Sequence, residues 1–190
     1  MNGSMRLAGL IAAVLFLAIS IACSRAPQTQ TGTAGPVGAA ENYPTLNVRT
    51  REICDAFTKK DYLKVLELTY PKVIEKAGGR EKMMATMKEE IKGMEAEGVA
   101  LLATTPSPPA NFVHDAGSIY AVIPILVKMK TLDGTYQADG SLIGISSDAG
   151  ANWTFIDAAG EDEKDLRVLL PNVFDKLKVP PDKPPVKIAG

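Results

Sequence analysis

Few side chains in this chain could carry out acid–base or metal chemistry. His114 is the only histidine among the 190 residues, so a metal site or a histidine-based catalytic triad would depend on it alone. A zinc site needs several His or Cys ligands. No second histidine is present, and both cysteines have other predicted roles. We therefore predict no metal and no cofactor, and we expect His114 to lie at the surface or at a strand end.

Tyr120 and Asp139 are the other two candidates for acid–base catalysis. Asp139 is expected to face Lys128 across a β-hairpin, and that opposite-charge pair would account for its carboxylate. A catalytic site would need at least two of the three candidates to converge in a pocket that excludes water. We therefore assign no catalytic residue and expect a protein that binds rather than one that catalyses.

The overall charge of the chain argues against nucleic-acid binding. The formal net charge is −1, whereas nucleic-acid-binding proteins carry a basic stripe or patch. The sequence also lacks a glycine-rich phosphate-binding loop, because Gly78-Gly79 does not have the spacing of one. We therefore expect no nucleic-acid partner.

The centre of the chain is residues 118–157, where the pattern predicts three β-strands joined by two turns. Asp133-Gly134 is typical of a type I′ hairpin turn, in which both central residues need positive φ. In such a hairpin Leu132 pairs with Thr135. That pairing fixes the register of the first two strands.

This register places Lys128 opposite Asp139, and a second turn at residues 148–151 places Phe155 opposite Gly144. Because side chains alternate along a strand, the same register predicts which of them share one face. The predicted face is mainly apolar and consists of Ile123, Ile125, Val127, Met129, Ala138, Gly140, Leu142, Gly144, Trp153 and Phe155.

Several residues on this face indicate a strongly bent sheet. Gly140, Gly144 and the mid-strand Pro124 are poor strand residues, which typically mark bends or bulges. Trp153 and Phe155 lie over the glycines, an arrangement that stabilises bent strands. A curved sheet with small residues on its inner face leaves either a cavity or a seat for a helix.

Amphipathic helices are predicted on both sides of these strands. They span residues 46–57, 62–69 and 80–96, with a short helical turn at 72–77. A further helix begins after Asp162, is kinked or split at Pro171, and leads into a Pro-rich tail at residues 179–190. The helix at 80–96 carries an apolar stripe that would suit either core packing or a binding surface, made of Met83, Met84, Met87, Ile91 and Met94.

The order of elements resembles the nuclear-transport-factor-2-like superfamily, which includes SnoaL-type polyketide cyclases. The resemblance covers residues 43–157 and is carried by Asp61-Tyr62, Tyr70-Pro71-Lys72-Val73-Ile74 and Gly78-Gly79-Arg80-Glu81. It implies an α+β fold with N-terminal helices packed on a strongly curved antiparallel sheet, a cystatin-like cone. The predicted C-terminal helix goes beyond the simplest form of that fold.

The resemblance leaves two classes of function open. In the favoured one the cone binds a small apolar ligand or a protein of the cell envelope, and a homodimer could form through the sheet. The alternative is an enzyme that performs isomerase-, hydratase- or cyclase-type acid–base chemistry on a small hydrophobic substrate, since enzymes of the superfamily place acids, His and Tyr inside the cone. The predicted ligand-binding residues are Met87, Ile125, Met129, Trp153 and Phe155.

A second, local resemblance lies at the second turn. Residues 146–153 match the Asp-box, S-x-D-x-G-x-x-W, which sialidases and propeller proteins carry once per blade. The motif occurs once here. We interpret it as structural, with Asp148 bonding to turn amides and Trp153 packing under the loop.

The N-terminus has the layout of a secretory signal peptide. Arg6 precedes an uncharged apolar run at residues 7–22, which is shorter than the ~20 residues that span a membrane. Ser20-Ile21-Ala22-Cys23 resembles the lipobox of bacterial lipoproteins, which implies lipidation of Cys23 and a bilayer as partner. An ordinary signal peptide with Cys23 as an incidental thiol is the alternative.

Residues 23–42 are predicted to be a flexible tether, because they contain almost no large apolar side chains. The resulting domain order is a signal peptide at 1–22, this tether, an α+β domain at 43–178 and a tail at 179–190. The protein is thus expected in the cell envelope, anchored to the outer membrane if the cell has one. Cys54 lies on an apolar helix face, so we predict a buried structural thiol.

Overall fold

The computed structural model of the protein describes residues 42–159 and 161–189. The predicted signal peptide, Cys23 and nearly all of the predicted tether lie outside the described residues. The described chain is α+β, and its helices pack on a strongly curved antiparallel sheet that forms a half-barrel, as predicted. The helices are α1 (Pro44–Lys59), α2 (Tyr62–Leu68), α3 (Pro71–Lys76), α4 (Arg80–Ala96), α5 (Glu163–Leu169) and α6 (Phe174–Leu177).

The sheet is built on one long hairpin, β3–β4, with two short strands along each edge. β1 and β2 pair with successive halves of β3, while β5 and β6 pair with successive halves of β4. The strands are β1 (Ala100–Pro106), β2 (Asn111–Asp115), β3 (Ser118–Thr131), β4 (Gly134–Ser146), β5 (Thr154–Asp157) and β6 (Val186–Ala189).

The predicted register of the first hairpin is wrong by two residues. The last pair before the turn is Thr131 with Gly134, so Leu132 and Asp133 form the corner, and neither has positive φ. A turn of that kind favours Gly at its fourth position rather than at its third. The Asp133 carboxylate stabilises it by accepting a hydrogen bond from Thr131 Oγ1 at 2.6 Å.

The predicted Lys128–Asp139 pair is consequently absent. Lys128 lies opposite Gln137, and Asp139 lies opposite Leu126. The Asp139 carboxylate instead contacts the Lys183 ammonium at 3.3 Å. A two-residue shift leaves every side chain on its predicted face, because the side-chain period of a strand is two.

Pro124 fits into the middle of β3 because of a gap between β1 and β2. β1 ends opposite Ile125, and β2 begins opposite Val122. The Pro124 carbonyl accepts a hydrogen bond from Ser107 N (2.8 Å) in this gap. Proline has no backbone N–H to donate. The nitrogen of Pro124 faces the same side as its carbonyl, where neither β1 nor β2 pairs with it and no donor is needed. Pairing with β4 continues past Pro124 without a register shift.

The sheet face that packs against α1, here called the α1 face, carries the predicted apolar set. Its buried cluster joins Leu46, Ile53 and Cys54 of α1 to side chains of β3, β4 and β5. The second hairpin has its predicted register, with Phe155 opposite Gly144. A Cβ on Gly144 would lie only 3.1–3.4 Å from Leu46, Ile123 and Phe155, so the missing side chain lets α1 and the ring approach.

The opposite face of the sheet, here called the α5 face, is covered by the C-terminal helices. Val122, Ile143 and Ile156 pack with buried leucines of α5 and α6. Asp162 caps the start of α5 as predicted, since its side chain accepts a hydrogen bond from Lys164 N at 3.0 Å. The predicted helix is split around Pro171, as expected for a residue that disrupts helices. The central strands are therefore buried on both faces.

The Asp-box loop is held by its own side chains, as predicted. Asp148 accepts hydrogen bonds from Asn152 N (2.9 Å) and Ser146 Oγ (2.8 Å). Trp153 Nε1 donates to the Gly150 carbonyl at 3.0 Å, and the buried indole contacts the Tyr43 ring edge-on at 5.5 Å. These hydrogen bonds give the motif a structural role in the turn. The contact with Tyr43 also fixes the start of α1 to the loop.

Candidate ligand-binding cavity

A cavity of about 100 Å³ lies at the β5 edge of the sheet, between α4 and the strands. The edge of β5 is sealed by the chain between α2 and α3, where Tyr70 N donates to the Phe155 carbonyl at 2.8 Å. The helices α1, α2 and α4 enclose the space from the other side. Its walls are mainly apolar and include Ile53, Ala56, Phe57, Val65, Met83, Met87, Ile91, Leu101, Phe155 and Ile156.

The amphipathic pattern of the sequence explains how α4 comes to form a wall. Met83, Met87 and Met94 are buried and recur at the spacing of one helical face. Met83 and Met87 pack with Val65 and Leu66 of α2 in a third cluster, between the helices. Methionine is unbranched and fits irregular spaces, which suits a wall that must adapt to its contents.

Glu90 is the first of three carboxyl groups in these walls. Its Oε2 atom is buried and has no hydrogen-bond partner among the described residues. Burial raises the pKa of Glu90 above its ordinary value, because an apolar environment disfavours the charged form. Such an atom is costly unless something else supplies a hydrogen bond to it.

Glu161 is the second carboxyl group, just before α5. Burial raises its pKa to about 7, and repulsion from Asp165 and Glu90 adds to this effect. The Lys76 ammonium acts in the opposite direction but already pairs with Asp165 at 2.5 Å. Glu161 therefore changes its charge near neutral pH, whereas a solvated Glu does so near pH 4.

Asp157 and Lys60 complete the polar part of the walls. Asp157 Oδ1 accepts a hydrogen bond from Ala159 N at 3.1 Å. Lys60 is exposed, lies at the open side of the cavity, and forms an ion pair with Glu95. The cavity thus combines an apolar interior with three carboxyl groups and one ammonium group that is already paired.

Two of the five predicted ligand-binding residues line this cavity. Met87 contributes to the α4 wall and Phe155 to the β5 wall. Ile125, Met129 and Trp153 are each at most 2% exposed and pack in the cluster on the α1 face. A role for these three residues in ligand binding stays a prediction.

The three candidates for acid–base catalysis are not brought together. His114 is exposed on β2, and Asp139 is exposed beside Lys183. Tyr120 packs against the cluster on the α5 face. None of the three lines the cavity between α4 and the sheet.

The cavity carboxyls were not among the predicted site residues, although one of them had a signal in the sequence. Glu90 follows Met87 by three residues and precedes Met94 by four, so it lies on the apolar stripe of α4. Glu161 had no such signal, because residues 161–165 read EDEKD, which is typical of a solvated helix start. Only the tertiary fold brings it to the cavity.

Cys54 is buried, as predicted. Burial raises the pKa of its thiol to about 12, and the negative charge of Asp157 contributes to this rise. The thiol is therefore protonated at neutral pH and unreactive as a nucleophile. Within the described ranges, no group of three or more His, Cys, Asp or Glu side chains is arranged to hold a metal ion.

The raised pKa of Glu161 predicts that stability falls as pH rises from about 4.5 to about 7. The folded chain holds this proton more tightly than the unfolded chain, so unfolding releases a proton in that window. Glu161→Gln removes the titration. We expect this variant to match the wild type at pH 4 and to exceed it at pH 8 by about 1–2 kcal/mol, a value reduced for the partial exposure of the side chain.

Urea unfolding at both pH values measures the difference. Glu89→Gln is the matched control, because Glu89 is the exposed neighbour of Glu90 on the outer side of α4. Its stability should follow that of the wild type at both pH values. Equal pH dependence in Glu161→Gln and the wild type would show that Glu161 does not titrate as inferred.

In the part of the chain that the structure describes, no helix has the length and apolar content to cross a membrane. Comparison with protein-family models, with curated proteins and with solved structures finds no match to this chain.

Proposed function

We propose that this protein is a membrane-anchored envelope lipoprotein whose α+β domain binds a small, mainly apolar ligand without catalysing a reaction. The observation that carries the binding proposal is the cavity between α4 and β5. Ligand sites are typically concave, lined by apolar side chains and equipped with a few polar groups that fix orientation. Carbon-rich walls with Glu90, Asp157 and Glu161 among them meet this description.

The size of the cavity limits the ligand. An engineered apolar cavity of ~150 Å³ holds one benzene molecule, so about 100 Å³ accommodates a smaller group. The buried part of the ligand would therefore have about four non-hydrogen atoms, compared with the six of benzene. A longer molecule could extend past the exposed Lys60 at the open side.

Binding can be tested with 1-propanol, a neutral compound of suitable size, by amide chemical-shift changes in a labelled sample. We expect saturable shifts for residues of α1, α4 and β5. Ala56→Leu should abolish them, because Ala56 is buried in the cavity wall and a larger side chain would fill the space.

The matched control for this experiment is Ala85→Leu, the same change at an exposed position of α4. This variant should bind 1-propanol like the wild type. Binding that persists in Ala56→Leu, or no binding by the wild type, would contradict the proposed site.

The lipoprotein half of the proposal is supported by the sequence of the N-terminus. Metabolic labelling with an alkyne-tagged fatty acid should modify the wild type and fail for Cys23→Ala. Cys54→Ala is the control and should keep the label, because the Cys54 thiol is buried. Retention of label in Cys23→Ala would refute lipidation at that residue.

The nuclear-transport-factor-2-like resemblance is part of the same proposal. The half-barrel sheet with helices packed on it supports it, since that superfamily builds small cones of this type. In this proposal the cavity of the domain corresponds to the ligand space of the cone. The tether would hold that space away from the membrane surface.

A further inference from the structure

We propose that the ligand is a small primary amine, whose cationic head binds between Glu90 and Glu161 and whose apolar body fills the space between α4 and β5. This inference rests on the proposed function and names the chemistry of the ligand. The observation that points to it is the buried Glu90 Oε2 atom, which has no partner among the described residues and lies in the cavity wall.

A buried carboxyl oxygen without a partner requires a hydrogen-bond donor. No side chain among the described residues supplies one to Glu90 Oε2. A donor that enters with the ligand would satisfy the atom, and this donor could belong to a hydroxyl or to an ammonium group. The charge distribution decides between the two.

The charges that face the cavity favour a cation. Glu90, Asp157 and Glu161 line it together with one ammonium group, that of Lys60, which is already paired with Glu95. The Lys76 ammonium, which also acts on Glu161, is paired with Asp165. An ammonium group on the ligand would supply the missing positive charge and up to three donors.

The protonation state of the carboxyls fits this assignment. Burial raises the pKa of both Glu90 and Glu161, and at Glu161 repulsion from Asp165 and Glu90 adds to the rise. A bound cation stabilises the charged form of a nearby carboxyl, so binding near neutral pH should release protons. A neutral ligand would not produce this release.

The walls also indicate an organic cation rather than a bare metal ion. Metal ions such as Ca²⁺ take six to eight oxygen ligands. Here most of the lining is apolar carbon, and Val65, Met83, Met87 and Phe155 contribute part of it. These side chains would be buried further against a hydrocarbon body, which contributes about 0.8 kcal/mol per CH₂ group in general.

Calorimetric titration at pH 8 with 1-propylamine and with its neutral counterpart 1-propanol tests the inference. The amine is a cation at this pH, since alkylammonium groups have pKa values near that of Lys. We expect the wild type to bind the amine at least about tenfold more tightly than the alcohol. Glu90→Gln should reduce the advantage of the amine over the alcohol to within about twofold.

Glu89→Gln is the control for unspecific attraction to the acidic surface and should retain the preference for the amine. A second readout uses only the wild type: at pH 7, titrations in two buffers of different ionisation enthalpy should reveal proton release with the amine and none with the alcohol. This readout holds even if Glu90→Gln fails to fold.

Each outcome is decisive. Equal affinity for both probes, or amine binding without proton release, would overturn the amine inference and leave the proposed apolar binding function intact. A loss of preference in Glu89→Gln equal to that in Glu90→Gln would overturn it as well. Failure of both probes to bind the wild type would overturn the proposed function together with the inference.

Discussion

Replacing Leu142 with Ala is expected to lower the free energy of unfolding by about 2–5 kcal/mol. Leu142 is completely buried and lies in β4 opposite Ile123 on one side and Asp157 on the other. Its side chain belongs to the cluster that joins α1 to the sheet. Removal of three carbon atoms loses their burial and leaves a cavity between packed layers that cannot collapse.

Leu63→Ala is the matched control for this prediction, because it makes the same change at a position that is 67% exposed on α2. We expect its effect to stay within about 0.5 kcal/mol. Urea unfolding followed by circular dichroism measures both variants. Equal effects of the two substitutions would mean that the cluster on the α1 face does not stabilise the fold as described.

Gly150→Ala is expected to destabilise the protein by about 2–5 kcal/mol. Gly150 has φ +89°, a conformation that costs about 1–2 kcal/mol for any other residue. A Cβ there would also lie 2.5 Å from Tyr43 Cδ1. The displaced ring would disturb the contact with Trp153 and the hydrogen bond from Thr45 Oγ1 to the Gly150 carbonyl.

Gly117→Ala separates the cost of positive φ from the cost of the clash with Tyr43. Gly117 has φ +80°, but no atom lies within 4 Å of the position of its Cβ. It should therefore show only the conformational cost, about 1–2 kcal/mol. Thermal unfolding compares the variants. A Gly150→Ala protein as stable as Gly117→Ala would contradict the packing of Tyr43 under the Asp-box loop.

The face assignments could be predicted from the sequence because they depend on local periodicity alone. Val127 and Met129 alternate with polar residues in β3, and a two-residue error in register does not change the face on which they lie. The register itself depended on one turn. Asp133-Gly134 suits a type I′ hairpin, but the corner forms one residue earlier because Asp133 can bond to Thr131 there.

The C-terminal strand β6 could not be predicted for a different reason. Val186 is 64% exposed and Ile188 is 45% exposed, so the strand buries little surface. It is only four residues long and follows two Pro-Pro pairs, which indicate an extended tail. Its position depends on pairing with Thr135–Gln137 of β4 and on an ion pair between Lys187 and Asp133 at 3.6 Å. Contacts of this kind join residues that are distant in sequence.

Only part of the candidate site could be predicted from the sequence. Residues in periodic patterns could be placed, whereas residues positioned by tertiary contacts could not. Met87 and Phe155 belong to periodic apolar sets, so their position in a wall between α4 and the sheet followed from the pattern. Glu161 reaches the cavity only because α5 folds back over the sheet. Its unusual pKa is a property of that tertiary environment, which no local pattern encodes.

Diffraction from a crystal held under xenon pressure tests the binding cavity most directly, because xenon enters apolar cavities and scatters anomalously. We expect an anomalous peak between Val65, Met87 and Phe155, and no such peak in Ala56→Leu. A wild-type crystal that takes up xenon elsewhere, or not at all, would contradict the proposal that this domain binds small apolar molecules between α4 and β5.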